Sequence, residues 1–210
     1  MDAHFWHQRW SNKQIGFHEG EPNAMLVSNF KHLSLGLGQR VFVPLCGKTL
    51  DIQWLLHQEI QVVAVELSEL AIEELFHELD VTPTVSELGL LKHYQAKNID
   101  VFVGDFFELT QETVGSVDAV FDRAALVALP LEMRDDYTKH LRQITKNAPQ
   151  LLITFVYDQA LMEGPPFSIT SDEVKRHYSA DFQIKNLQNL PLTGGFKHVS
   201  DVKESIWLLK

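Results

Sequence analysis

Residues 41–66, VFVPLCGKTLDIQWLLHQEIQVVAVE, constrain the fold more than any other part of this chain. A short β-rich run over 41–45 leads into a turn made by Cys46, Gly47 and Lys48. Thr49 can cap a helix running to Gln58, in which Ile52, Leu55 and Leu56 recur at helical spacing. Residues 62–65 are again apolar and mostly β-branched, as a strand covered on both faces should be. Glu66 ends that run, 19 positions after Gly47. A nucleotide-binding βαβ unit has this layout. Its second strand presents a carboxylate to a ribose diol about 20 residues beyond the glycine turn.

Two familiar phosphate-binding turns do not fit. A Walker A loop needs a glycine five residues before Gly47, where Phe42 stands, so the GKT string is accidental. A dinucleotide fingerprint needs three spaced glycines, and Pro44-Leu45-Cys46-Gly47-Lys48 has one. Pyrophosphate demands several bare backbone N–H groups at contact distance, which extra glycines permit. A nucleoside cofactor without phosphates makes no such demand. S-adenosylmethionine is such a cofactor, so the turn favours a methyltransferase over a nicotinamide oxidoreductase. A non-catalytic cofactor-binding protein is the third reading, with no feature of the sequence in its support.

Composition narrows the partners. The 210 residues suffice for one α/β domain spanning 1–210, with 1–35 as a helical N-terminal extension. The formal net charge of −10 and the scattered Lys and Arg argue against a nucleic-acid substrate and for a small molecule. A single cysteine excludes a disulfide framework, and the ten histidines show no metal-ligand spacing. MDAHFWHQRW lacks the layout of a signal peptide, and no apolar run approaches the ~20 residues of a membrane span. The expectation is a cytoplasmic monomer without metal or membrane attachment.

Helical spacing predicts helices over 4–10, 24–33, 69–79 and 131–144, with another capped by Ser171 and running to about His177; 84–91 reads as partly helical, with loop to 98. Further strands are expected over 101–103, 117–121 and 151–157, with a closing pair over 182–187 and 205–209. Strands alternating with helices imply a mostly parallel sheet, whose ligand lies beyond the carboxyl ends of the strands. The residues at those ends are Leu45, Glu66, Asp105 and Arg123. Three of the four are ionisable, although each follows an apolar strand.

The strings VFVPLCGKTLDIQWL, VAVELSELAIEE, GDFFEL, FDRAALVAL and TFVYDQALMEGPPF, with FWHQRW and GFHEG near the N-terminus, resemble the thiopurine S-methyltransferase family from about residue 5 to 168. The resemblance implies a Rossmann-like class I methyltransferase fold, a seven-stranded, mostly parallel sheet whose last strand is antiparallel. It also implies methyl transfer from S-adenosylmethionine to the sulfur of aromatic and heterocyclic thiols, leaving S-adenosylhomocysteine. By the same resemblance, the natural acceptors are expected among other thiols or selenium and tellurium species. Trp10, Leu45, Glu66 and Arg123 match the family's cofactor contacts, and Asp105 and Phe106 fall where it borders the adenine. Some members bring a basic C-terminal residue near the substrate, for which Lys197 is the candidate.

Each role has a physical warrant. An ionised Glu66 can accept both ribose hydroxyl protons. The fork of donors on Arg123 can hold the cofactor's carboxylate or favour an anionic acceptor. Trp10 can lie over the sulfonium cation as part of a helical lid, and Trp6 reads as core. Asp105 can accept from the adenine amino group or simply cap its turn. Cys46 reads as a packing residue, because no neighbouring base would lower its pKa.

Overall fold

The computed structural model describes residues 3–192, 195–196 and 199–210. Chain order is α1 (Ala3–Ser11), α2 (Ala24–Asn29), β1 (Arg40–Val43), α3 (Leu50–His57), β2 (Gln61–Glu66), α4 (Glu69–Glu78), β3 (Thr84–Leu88), β4 (Leu91–Ala96), β5 (Ile99–Val103), α5 (Gln111–Val114), β6 (Ala119–Asp122), α6 (Leu131–Thr145), β7 (Gln150–Val156), α7 (Ser171–Tyr178), β8 (Ile184–Pro191) and β9 (Lys203–Leu209). The strands form one sheet in the order β3-β4-β5-β2-β1-β6-β7-β9-β8.

β5, β2, β1, β6 and β7 are parallel. β9 pairs antiparallel with both β7 and β8, so β8 runs with the parallel set. The stretch from β5 to β8 is therefore a seven-stranded sheet with its last strand antiparallel, as expected. The sheet has nine strands because β3 and β4 form an antiparallel hairpin on the β5 edge. This corrects the helix-and-loop expectation for 84–98. Every β3 residue is exposed, so the strand carries no buried alternation for a sequence to display and is held by its pairing with β4.

Local chemistry explains the helix ends. Thr49, Ser68 and Thr170 cap α3, α4 and α7 through their side-chain oxygens, the last one residue earlier than expected. Asn23 caps α2 by accepting from the N–H groups of Met25 and Leu26. The helix expected over 24–33 tightens after Asn29 into a 3₁₀ turn, Phe30–Leu33, which Ser34 ends at φ 57°.

The continuous apolar strands are covered on both faces. Along β2, Val62 and Ala64 pack with Ile52, Leu55, Ile72 and Leu75 of α3 and α4. Val63 and Val65 face the opposite layer, with Tyr137 and Leu141 of α6 and Tyr178 of α7. This two-sided cover fixes which end of each strand meets solvent. No helix among the described residues is long and apolar enough to cross a membrane.

Candidate active site

The turn after β1 is built by two left-handed residues, Leu45 at φ 47° and Gly47 at φ 53°. A bulky residue seldom adopts this conformation, and such strain is held only where the surroundings impose it. Here Leu45 reverses the chain so that Cys46 N–H donates to Val65 O at 2.9 Å, while the Leu45 side chain packs against the core. The Lys48 ammonium turns away to Glu74 and Glu78 of α4, at 2.9 and 2.6 Å. The GKT string is thus a brace between the turn and a helix.

Glu66 closes the unit. It is buried, with Gly47 N–H donating to Oε2 at 2.8 Å and Ser68 N–H to Oε1 at 2.9 Å. Burial pushes its carboxyl pKa up, and the N–H donors from Ser68, Gly47 and Leu67 pull it back. Gly47 and Ser68 each take one oxygen and Leu67 adds a third donor, so the lone pairs of the carboxylate are not all used. Two hydroxyl groups on adjacent carbons could fill those sites.

Trp10 lies across this turn. A Cβ at Gly47 would come within 3.0 Å of Trp10 Cζ2, so the glycine is what lets the indole settle on the backbone. Phe17 holds Trp10 and Trp6 edge-on, with ring centroids 5.6 and 5.7 Å away, and α1 lies against α4. Trp10 is buried even though α1 sits outside the sheet. Gly47→Ala combines a strained φ with a displaced indole. It should lower stability by about 1–2 kcal/mol in denaturant unfolding. An unchanged midpoint would show that Trp10 is not seated there.

Arg123 follows β6 directly. Its side chain is 9% exposed and pairs with Glu19 Oε1 at 2.6 Å. The same Nη2 donates to Phe17 O at 3.2 Å, and the buried Nε has no partner. Arg123 does not pair with Asp122, its neighbour in sequence. The fully buried Asp122 accepts from Leu126 N–H at 3.1 Å and from the Tyr137 hydroxyl at 2.7 Å. With no cation bonded to it, burial pushes its pKa up to about 6. Asp122 thereby ties down the turn in which Ala124 adopts φ 60° just beyond Arg123.

Trp10, Leu45, Glu66 and Arg123 thus gather at the carboxyl ends of β1, β2 and β6, linked through Gly47 and Phe17. Asp105 and Phe106 lie further along, beyond β5. The Asp105 carboxylate caps its turn, accepting from Phe107 N–H at 3.0 Å. The Phe106 ring is turned into the core, with its centroid 4.9 Å from Tyr137 and 5.1 Å from His140. Lys197 lies outside the described residues.

A cleft of about 500 Å³ opens beside the ends of β2 and β5, lined in part by His7, Ser11, Ser68, Glu69, Leu90 and Lys92. No motif or spacing pointed to it. His7 lies on the N-terminal helix, Ser11 lies just beyond the helix expected over 4–10, and Leu90 and Lys92 belong to the hairpin. Only the i, i+4 spacing of His7 and Ser11, each one residue after a tryptophan, could have suggested a shared face.

These residues fit a nucleoside cofactor bearing an amino-acid tail: a buried acid with spare lone pairs, an adjoining cleft, and a buried guanidinium with an orphaned donor. Solved structures share the fold. A Burkholderia thailandensis 1,6-didemethyltoxoflavin-N1-methyltransferase with bound S-adenosylhomocysteine superposes with a TM-score of 0.69 at 15% identity, over 99% of this chain and 85% of that one. An S-adenosylmethionine-dependent methyltransferase from Anabaena variabilis gives 0.63 at 15% identity, over 99% and 95%. A family model described as thiopurine S-methyltransferase matches residues 1–210. The thiopurine S-methyltransferase of Xanthobacter autotrophicus is 51% identical over 100% of this chain and 99% of its own length. That of Acinetobacter baylyi is 46% identical over 100% and 98%. The protein is therefore a methyltransferase, and it belongs to the thiopurine S-methyltransferase family.

Proposed function

We propose that this enzyme methylates the sulfur of small aromatic or heterocyclic thiols, thiopurines among them, with selenium and tellurium species as further acceptors, and that it uses no metal. The observation that carries the reading is the gathering of Glu66 and Trp10 on the Gly47 turn, with Arg123 joined to Trp10 through Phe17, in a chain that matches the family over its whole length. When bound, S-adenosylmethionine supplies a methyl group already activated on a sulfonium. The chain's residues then have to bind, align and exclude water. Glu66 takes the ribose hydroxyls, the cleft beside β2 and β5 takes the adenine, and the Arg123 edge that bears the unpartnered Nε takes the carboxylate. Trp10 covers the sulfonium with an aromatic face.

The acceptor needs little activation. A thiol of ordinary pKa ~8.5 is partly ionised near neutrality, and its thiolate is already nucleophilic. In-line displacement then depends on alignment and on the charge around the reacting sulfur. A methyl-transfer screen over aromatic thiols, phenols and amines, with and without a chelator, tests this reading. Thiols should be methylated at undiminished rate in chelator. Transfer confined to phenols or amines would overturn the acceptor class. Activity lost in chelator and restored by one divalent ion would overturn metal independence.

A further inference from the structure

We propose that Glu19 is a built-in placeholder on Arg123, occupying the donor edge that the cofactor's carboxylate takes and leaving it when the cofactor binds. This deepens the reading above and rests on Arg123 being the carboxylate's partner.

A guanidinium receives a carboxylate best along an edge, with two parallel N–H donors. On the Nε–Nη2 edge of Arg123, Nη2 is engaged by Glu19 at 2.6 Å, and the buried Nε has no partner. One member of the edge is therefore stopped and the other left open. A bidentate carboxylate would satisfy both, and could do so only by replacing Glu19 at Nη2.

The pair is also unequal in mobility. The Arg123 side chain is 9% exposed and that of Glu19 is 45% exposed. The base is fixed and the acid can swing out. Glu19 shares an acidic cleft with Glu21 and Glu204. Burial and the Glu19 charge together push the Glu204 carboxyl pKa upward, which marks the repulsion Glu19 feels in return. Its only other side-chain tie among the described residues is Asn23 Nδ2, at 3.3 Å. A hold of this kind is firm enough to keep a buried guanidinium neutralised, yet gives way to a better-placed anion.

Glu19 also sits two residues after Phe17, which carries Trp6 and Trp10. Its release links occupation of Arg123 to the position of the lid.

Calorimetry with two probes that differ in the carboxylate tests the proposal: S-adenosylhomocysteine, and 5′-methylthioadenosine, which lacks the amino-acid tail. Glu19→Gln keeps the shape and removes the charge. It should tighten S-adenosylhomocysteine binding about two- to fivefold and leave 5′-methylthioadenosine unchanged. Glu19→Ala should repeat this pattern, with a gain for S-adenosylhomocysteine alone, and Glu21→Gln should move neither probe. Unchanged or weaker S-adenosylhomocysteine binding in Glu19→Gln would overturn the placeholder, as would equal gains for both probes or the same gain in Glu21→Gln. Arg123→Lys separates the two levels of the argument. It should weaken S-adenosylhomocysteine about tenfold or more and spare 5′-methylthioadenosine. Equal losses for both probes would sink the carboxylate reading itself, whereas a selective loss beside a silent Glu19→Gln would sink only the placeholder.

Discussion

Replacing Glu66 with glutamine is expected to weaken S-adenosylhomocysteine binding by about a hundredfold or more. The substitution keeps the side chain's volume and changes only its charge and one of its oxygens. Glu66 now accepts from Gly47 N–H through one oxygen and from Ser68 N–H through the other. An amide has a single oxygen, so one of these buried donors would face an NH₂ group and lose its acceptor. That costs about 1–3 kcal/mol and distorts the turn on which Trp10 rests. Each ribose hydroxyl also loses a charged acceptor, worth about 1.5–3 kcal/mol for a bond to an ionised group. The two losses fall on the same few atoms, so they do not simply add, and about 3 kcal/mol is a conservative total. Titration calorimetry checks it. Affinity within threefold of the wild type would remove Glu66 from the cofactor site.

The second large effect concerns stability. Asp122 is fully buried, and burial raises its pKa from an ordinary 3.8 to about 6. Because the folded value lies above the unfolded one, the bound proton favours the fold. That contribution is complete below about pH 4 and disappears as the pH climbs through 6. The interval corresponds to ~3 kcal/mol of stability withdrawn between mildly acidic and neutral solution. Asp122→Asn should abolish this component. Its oxygen can still accept from Leu126 N–H, and the Tyr137 hydroxyl can rotate to accept from the new amide. Asp51, Glu66 and Glu204 also have raised carboxyl pKa values, so both proteins share a background decline as the pH rises. The difference between variant and wild type isolates Asp122. It should shift in the variant's favour by ~3 kcal/mol from pH 4 to 7.5 in denaturant melts. Parallel pH curves would show that Asp122 is not the titrating group.

The parts of this protein that depend on short-range pattern are legible in the order of its residues. The turn at Gly47 and the carboxylate at Glu66 are 19 residues apart and belong to one supersecondary unit, so spacing alone announced them. Arg123 was legible because it ends an apolar strand whose flanks cannot hide a charge. Long-range encounters were decided only in three dimensions. Arg123 meets Phe17 across 106 residues, and no periodicity on either segment records that meeting. The same holds for Glu19 on its guanidinium and for Trp10 on Gly47. Packing alone also turned Phe106 inward onto Tyr137 and His140, although in sequence it is one of two adjacent phenylalanines with equal claims to the surface. The β3–β4 hairpin failed to show because an edge strand buries no face of its own. It becomes a strand when β4 finds β5, and the sheet supplies the hydrogen bonds that the local sequence leaves unspecified.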